Sequence, residues 1–195
     1  MKRIRLFLIT TMLLLALGAG NAFAETTLNS VLTAEYGAGH FHEISNTDAY
    51  EFNSGPYEVT ALLVDKQSSY KNPVGWYDAA NPRTKSELFS NPPSQVDQVR
   101  SFSPNGKFGL YIQSDIGTLY SKPSLNGGTK RAKLFSLDSG GYVLAFEDGT
   151  DWDYQDIVLE LKGSSLSIPE FPTVALPVAA ILGLFFIFGR KKEGL

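Results

Sequence analysis

Short runs of alternating apolar and polar residues make up most of this chain between its two ends. The alternation is clearest over residues 57–63, where every second side chain is apolar and lies on one face of an extended strand. Leu62 and Val64 make the opposite face apolar as well, which is typical of a strand covered on both sides. Further strands are predicted at residues 30–36, 74–77, 85–89, 107–113, 118–121, 133–137, 141–147 and 156–162.

Turn sequences separate the predicted strands and are rich in Gly, Asn, Ser and Pro. Examples are Gly-Ala-Gly at 37–39, Asn-Ser-Gly-Pro at 53–56 and Ser-Gly-Gly at 139–141. No long stretch of helical periodicity lies between the two termini. The sequence therefore predicts an all-β fold, an antiparallel β-sandwich or jelly roll, flanked by an N-terminal signal helix and a C-terminal transmembrane helix.

The N-terminus has the three parts of an export signal. Basic residues lie within the first five positions, residues 6–17 are apolar, and Ala22 and Ala24 form an A-x-A cleavage motif. An uncleaved membrane anchor is the alternative, but the apolar segment is short and the residues at the cleavage positions are small. We therefore predict that a signal peptide is removed before Glu25.

The C-terminus has the pattern of a membrane span with a basic end. Residues 171–189 carry no charge, and a helix of that length just crosses a bilayer. Arg190, Lys191 and Lys192 follow at once, so the positive-inside rule assigns them to the cytoplasm and the domain to the outside. The Gly- and Ser-rich residues 163–168 are predicted to form a flexible stalk. The predicted division is 1–24 signal peptide, 25–165 exported β-sandwich domain, and 166–195 sorting signal with transmembrane helix and basic tail.

Net charge and cysteine content argue against nucleic-acid binding and against stabilisation by disulfides. Residues 25–189 contain 11 basic and 19 acidic side chains, a net charge of −8. A domain this acidic is a poor partner for nucleic acid. Because the chain has no cysteine, no disulfide holds the exported domain, and its stability depends on the core and on any bound metal.

The densest chemistry lies over residues 146–161, FEDGTDWDYQDIVLEL, which contain six acidic residues and no Lys or Arg. Crowded carboxylates repel one another unless a positive charge lies among them. Ca²⁺ is the expected partner because it prefers oxygen ligands. Five side chains are predicted as its ligands: Asp148, Asp151, Asp153, Asp156 and Glu147. Backbone carbonyls and waters would supply the remaining oxygens.

Alternation within this stretch suggests how the ligands converge. On an extended segment Asp151 and Asp153 point to one side, while Trp152 and Tyr154 point to the other and anchor the segment to the core. The spacing is not that of an EF-hand, because the twelfth position from Asp151 is Lys162. The alternative to a metal site is a solvated acidic turn whose carboxylates accept bonds from backbone N–H groups.

Two other groups of residues contain side chains that could form a site. His40 and His42 would face the same side of a strand and could bind a transition metal, but with no third ligand nearby an exposed edge strand is favoured. Four aromatic residues in predicted strands are favoured as core over a sugar-binding surface: Trp76, Tyr77, Tyr111 and Tyr120. Familiar motifs for catalytic nucleophiles and phosphate-binding loops are missing from the sequence.

The C-terminal pattern resembles a known sorting signal. Pro169-Glu170-Phe171, an apolar span and then Arg190-Lys191-Lys192 resemble the PEF-CTERM signal of archaeal exported proteins. This resemblance implies processing by an archaeosortase-like membrane enzyme that transfers the protein to an anchor. It also implies a location on the outer face of the cell membrane.

The second resemblance covers roughly residues 74–162. Val74-Gly75-Trp76-Tyr77, the strand at 108–112 and the acidic stretch are similar to the domain of unknown function 4114, found in exported and surface proteins. Gln155 stands where that family usually has asparagine, and Gly149 where it usually has leucine. The resemblance implies metal binding or an undefined enzymatic activity at the acidic residues.

The sequence therefore predicts an exported cell-surface protein with a Ca²⁺-binding loop and a role in adhesion, envelope structure or ligand binding. Envelope polysaccharide and surface-layer proteins are the expected partners besides the membrane. The alternative is a surface hydrolase of envelope polysaccharide that uses Glu147 with Asp151 or Asp153 as acid and base. Such an enzyme requires carboxylates about 5 to 10 Å apart across a cleft. A purely structural envelope protein, the third possibility, would show no ion dependence.

Overall fold

The computed structural model of the protein describes residues 26–45, 50–56 and 58–167, together with Ile181. The predicted signal peptide with Ala22 and Ala24 lies outside these residues. So do the span over 171–189, apart from Ile181, and all six residues of the predicted sorting motif. Within the described part, no helix has the length and apolar character needed to cross a membrane.

Strands dominate the described part of the chain. The helix and strands are, in chain order, α1 (Leu28–Tyr36), β1 (Phe41–Glu43), β2 (Glu51–Ser54), β3 (Val59–Asp65), β4 (Val74–Asp78), β5 (Asn81–Phe89), β6 (Val99–Phe102), β7 (Lys107–Ser114), β8 (Gly117–Tyr120), β9 (Ala132–Leu137), β10 (Tyr142–Phe146), β11 (Ile157–Lys162) and β12 (Ser164–Leu166). Short 3-10 turns lie at Pro92–Ser94 and Pro123–Asn126.

The described strands form two antiparallel sheets. The first sheet has the order β1-β9-β10-β11-β3-β6, and the second has the order β12-β2-β7-β4-β5. Strand β8 pairs with the second half of β7, from Tyr111 to Ser114, while β2 pairs with its first half. This arrangement confirms the expectation of a mostly β fold with antiparallel sheets.

The interior of the molecule is the apolar layer between the two sheets. Leu144, Leu159 and Leu161 of the first sheet pack in one cluster with Phe108 and Ile112 of the second, and all five are fully buried. Burial of a side chain of this size contributes about 1.5–3 kcal/mol. The two sheets are therefore held together by the alternate residues of their strands.

The outer face of the first sheet is covered too, which explains why several of its strands are apolar on both sides. Val143, Ala145 and Val158 point away from the interior and form a second cluster with Leu28 and Leu32 of helix α1. The central strands β10 and β11 therefore lie between the second sheet and the helix.

Helix α1 corrects the prediction of a strand at 30–36. Thr27 caps the helix: its Oγ1 accepts a bond from the Ser30 backbone N–H (3.2 Å), and the Ser30 hydroxyl accepts one from the Thr27 N–H (3.0 Å). Leu28 and Leu32 lie one turn apart, so both reach the sheet. The prediction was wrong because the helix has only nine residues. Over so short a segment, the spacing of the apolar residues on one face of a helix resembles the alternation of a strand.

Three strands were not predicted, and one of them replaces the expected stalk. β2, β6 and β12 are only three or four residues long, and their sequences show little alternation. The stalk prediction for 163–168 was wrong over Ser164–Leu166, which pairs with β2. Gly163 makes the turn with φ +79°, where an added Cβ would lie 2.5 Å from the Glu58 carbonyl oxygen.

Aromatic rings cover glycines in the second sheet, and of the four candidate aromatic residues Tyr77 and Tyr111 are buried while Trp76 and Tyr120 are half-buried. Tyr77 is fully buried and lies across Gly109, where an added Cβ would come within 2.3 Å of its ring. Tyr111 lies over Gly75 in the same way. Trp76 is half-buried in the interior and stacks on Phe102 with ring centroids 5.9 Å apart.

Replacing Leu32 by alanine tests whether helix α1 is an integral part of the fold. Leu32 is fully buried against the first sheet, so Leu32→Ala should lower the free energy of unfolding by about 2–5 kcal/mol. Glu35→Ala is the control, since Glu35 is exposed on the same helix and its loss should change stability by less than about 0.5 kcal/mol. Chemical denaturation measures both; equal effects would contradict the docked helix.

Candidate metal centre

The predicted acidic ligands lie in the connection between the two central strands of the first sheet. β10 ends at Phe146 and β11 begins at Ile157, and these two residues are directly paired. Residues 147–156, the acidic loop, therefore leave and re-enter the sheet at neighbouring points. Glu147 and Asp156 at the ends of the loop are buried, because they adjoin strands that are covered on both faces.

Four carboxylates of the acidic loop converge on one point. Glu147, Asp151, Asp153 and Asp156 each place one oxygen so that all four lie within 4.8 Å of one another. Oxygens bound to one Ca²⁺ at 2.3–2.6 Å are at most about 5 Å apart. The cluster therefore has the dimensions of a single-cation site.

The backbone conformation of the acidic loop around Asp151 and Asp153 differs from the extended one that the alternation pattern predicted. Trp152 and Tyr154 have φ values of +61° and +58°, in the left-handed region. The segment is therefore not extended, as the sequence had suggested. A left-handed non-glycine residue costs roughly 1–2 kcal/mol, so other contacts must hold this conformation.

The two aromatic residues of the loop have different environments. Tyr154 is buried in the outer cluster of the first sheet, and its hydroxyl donates to the Lys130 carbonyl at 3.0 Å. Trp152 is 46% exposed, with the Arg131 guanidinium 4.9 Å from its ring centroid. The predicted anchoring role therefore applies to Tyr154 and not to Trp152.

Hydrogen bonds orient three of the clustered carboxylates: Glu147, Asp153 and Asp156, the last of which accepts the Asp148 backbone N–H. Glu147 accepts backbone N–H groups from Gly149 (2.8 Å) and Tyr154 (3.4 Å). Asp153 accepts both the backbone N–H (3.1 Å) and the side-chain amide (2.7 Å) of Gln155. These bonds fix the side chains before any ligand arrives, which lowers the entropy lost on binding.

Asp148 has a different role from the four clustered acids. Its Oδ2 accepts bonds from the Ser68 hydroxyl and the Asn72 amide of the β3–β4 connection. Its backbone N–H donates to Asp156 at 2.7 Å. Asp148 thus joins the acidic loop to a distant segment, and its role as a ligand stays a prediction. Sequence reasoning missed Ser68 and Asn72 because nothing local marks a contact across nearly 80 positions.

Electrostatics of the cluster favour a bound positive charge. Burial, followed by the neighbouring charges of Asp148 and Glu147, raises the pKa of Asp156 to about 7. Burial likewise raises the pKa of Glu147, although backbone hydrogen bonds oppose this. Within the described residues, no Lys or Arg forms an ion pair with the four clustered acids. Glu147 and Asp156 therefore bind protons more tightly than isolated carboxylates do.

An open pocket of about 400 Å³, the acidic pocket, lies beside the cluster. Its walls come from residues 67–70 of the β3–β4 connection and from residues 148–151, 153, 155 and 156 of the acidic loop. The Asp148 contacts described above hold these two segments together. A cation in the cluster would therefore be accessible from the solvent through this pocket.

The two histidines acquire a partner that the sequence did not indicate. His40 Nδ1 and His42 Nε2 bond to different oxygens of Asp138, at 3.1 and 2.9 Å. These bonds lower the pKa of the Asp138 carboxyl. His42 lies in the edge strand β1, and both histidines are exposed, which agrees with the favoured interpretation of polar edge residues.

Comparison with known families concerns the C-terminal tail. Residues 168–192 match the family model of the PEF-CTERM archaeal protein sorting domain, which confirms the resemblance predicted from the sequence. The protein is therefore exposed at the cell surface and anchored to the cell membrane, and signals of this kind are processed by archaeosortase. The matched segment contains the predicted motif residues Pro169, Glu170, Phe171, Arg190, Lys191 and Lys192. Neither the curated proteins nor the solved structures gave a match to the chain.

The raised pKa of Asp156 predicts a pH dependence for the chelator-treated protein. The folded state binds a proton up to about pH 7, whereas the unfolded chain releases it near pH 3.9. The free energy of unfolding should therefore fall as pH rises from about 4 to 7, by roughly 1–4 kcal/mol. Thermal unfolding in EDTA at several pH values measures this slope.

Asp156→Asn should flatten that slope, because asparagine does not titrate and its oxygen still accepts the Asp148 N–H. Asp115→Asn is the control, since Asp115 lies in an exposed turn and should leave the slope unchanged. A slope that persists in Asp156→Asn would show that another group is responsible.

Proposed function

We propose that this surface-anchored protein binds Ca²⁺ through its acidic loop and serves in adhesion, envelope structure or ligand binding. The observation that carries the proposal is the convergence of four carboxylate oxygens within 4.8 Å. The proposal includes a cleaved signal peptide over 1–24 and a membrane helix over 171–189 that is replaced by an anchor during processing.

The donor set favours calcium over other metals. The clustered ligands are carboxylate oxygens from Glu147, Asp151, Asp153 and Asp156, with no thiol or imidazole among them. Hard cations prefer such oxygens, and transition metals prefer nitrogen or sulfur. Ca²⁺ tolerates the irregular geometry of a loop, whereas Mg²⁺ demands a near-ideal octahedron. Carbonyls at Gly149 or Thr150 and solvent would complete the six to eight ligands.

The same geometry favours binding over hydrolysis. A pair of carboxyls that cleaves a glycosidic bond is separated by about 5 to 10 Å, so that the bond lies between them. The oxygens of Glu147, Asp151 and Asp153 are closer than this and belong to one loop. The hydrolase alternative therefore has less support than the cation site.

Two further considerations support the proposal. Calcium sites in extracellular modules bind at about 10⁻⁴–10⁻³ M, and a protein exposed at the cell surface can use a site of this strength. The resemblance of residues 74–162 to the domain of unknown function 4114 is part of the proposal, since its acidic residues fit metal binding. Envelope polysaccharide and surface-layer proteins are the proposed partners.

Terbium luminescence offers a direct test because Tb³⁺ replaces Ca²⁺ at oxygen sites and is excited through nearby tryptophan. Trp152 lies between two of the proposed ligands. The full chain in detergent should sensitise Tb³⁺ emission on excitation of tryptophan, and Ca²⁺ should quench it by displacement. Ca²⁺ at millimolar concentration should also raise the Tm, by about 2–8 °C for a gain of about 1–2 kcal/mol.

The double variant Asp151→Asn/Asp153→Asn should lose both the emission and the Tm increase. Its matched control is Asp97→Asn/Asp115→Asn, which removes the same charge from two exposed positions outside the loop. If neither Ca²⁺ nor any other divalent ion changes the Tm of the wild-type chain, the solvated-turn alternative replaces the metal site.

A further inference from the structure

We propose that the acidic pocket is a saccharide-binding site in which two hydroxyls of a neutral sugar complete the coordination of the bound Ca²⁺. The inference rests on the proposed calcium site and adds the class of ligand. It is carried by the composition of the pocket walls, by one buried amide oxygen that has no hydrogen-bond partner among the residues the structure describes, and by the balance of charge.

The walls of the acidic pocket suit a ligand rich in hydroxyl groups. Ser68, Ser69 and Thr150 line it with hydroxyls of their own, which donate and accept hydrogen bonds as sugars do. Tyr70 lines it as well and is 45% exposed, an arrangement that leaves an aromatic face available for the C–H groups of a sugar ring. The volume of about 400 Å³ lies within the range of small-molecule sites.

Gln155 provides an observation that is independent of the carboxylates. Its side chain lines the pocket and its residue is only 7% exposed. The amide nitrogen donates to Asp153, which fixes the amide orientation, and the amide oxygen has no hydrogen-bond partner among the described residues. A buried acceptor without a partner costs about 1–3 kcal/mol in folding. Because this oxygen is buried in a residue that lines the pocket, a ligand hydroxyl that displaced the atoms covering it could donate to it and remove that cost.

Charge and polarity exclude the other ligand classes. Five carboxylates border the site: Glu147, Asp148, Asp151, Asp153 and Asp156. Ca²⁺ together with the nearby Lys66 and Arg131 offsets fewer charges than these carry, so an anionic ligand is repelled. A cationic ligand would compete with Ca²⁺ for the same oxygens. An apolar ligand would desolvate the polar walls without replacing their hydrogen bonds.

Coordination geometry explains why hydroxyl pairs fit. Four monodentate carboxylates leave two to four positions on a cation that takes six to eight oxygens. Three of the four clustered acids, Asp151, Asp153 and Asp156, line the acidic pocket, so the free positions are assigned to the side of the ion that faces it. A neutral vicinal diol fills two adjacent positions and adds no charge to a site that is already anionic.

Ligand-observed NMR on the full chain tests the proposal. The chain is kept in octaethylene glycol monododecyl ether, a detergent without a sugar headgroup, and the probes are the methyl α-glycosides of mannose, glucose and galactose. Saturation-transfer signals are expected for at least one glycoside in 5 mM Ca²⁺ and should disappear in EDTA. Tyr70→Ala should weaken binding at least fivefold, while Tyr70→Phe, which keeps the ring, should stay within twofold of wild type.

Terbium emission from the same samples separates this proposal from the calcium site. Emission that persists in Tyr70→Ala while sugar binding is lost supports a saccharide site built on the metal centre. Emission without any glycoside signal in wild type overturns the saccharide proposal and leaves the calcium site standing. Glycoside binding that persists in EDTA overturns coordination through Ca²⁺, and absence of emission from wild type removes both proposals.

Discussion

Carboxylates repel one another most strongly where water is excluded, and the acidic loop holds four of them within 4.8 Å. Its two end residues, Glu147 and Asp156, are buried, and burial raises the pKa of each. Protons or a cation must therefore compensate the charge in the folded state. At the cell surface, where divalent cations are available, a calcium ion would do so while also fixing the loop.

The scaffold makes this concentration of charge possible. Strands β10 and β11 are buried on one face by the second sheet and on the other by helix α1. The hydrophobic energy of that packing holds the ends of the loop at neighbouring points. Tyr154, buried beside the outer face, then keeps a left-handed backbone in place. The stability of the sandwich thus offsets both the repulsion and the backbone strain of the loop.

The cluster is also connected to the rest of the surface. Asp148 binds Ser68 and Asn72, so that the β3–β4 connection forms a second wall beside the acids. Gln155 orients Asp153 and lines the same pocket, and its buried amide oxygen has no hydrogen-bond partner in the described part of the chain. A cation bound here would therefore affect a pocket and not only a turn, which links stability of the loop to recognition of a ligand.

The sequence by itself determined the location of the protein, most of its strands and the acidic stretch. A charge-free span, a short motif and a basic end are local features, and the apolar residues of strands such as β7 and β11 are enough to predict those strands.

Tertiary structure decided what these elements do together. Helix α1 was missed because its two buried leucines become buried only by packing against strands that come much later in the chain. Strand β12 was missed because its three residues gain their hydrogen bonds from β2. Residue spacing likewise showed that Asp151 and Asp153 were candidates, but only the folded backbone brought them to Glu147 and Asp156. The same backbone turned Asp148 towards Asn72 and left the Gln155 amide oxygen without a hydrogen-bond partner among the described residues. Such contacts depend on distances between segments far apart in the chain, which no local pattern encodes.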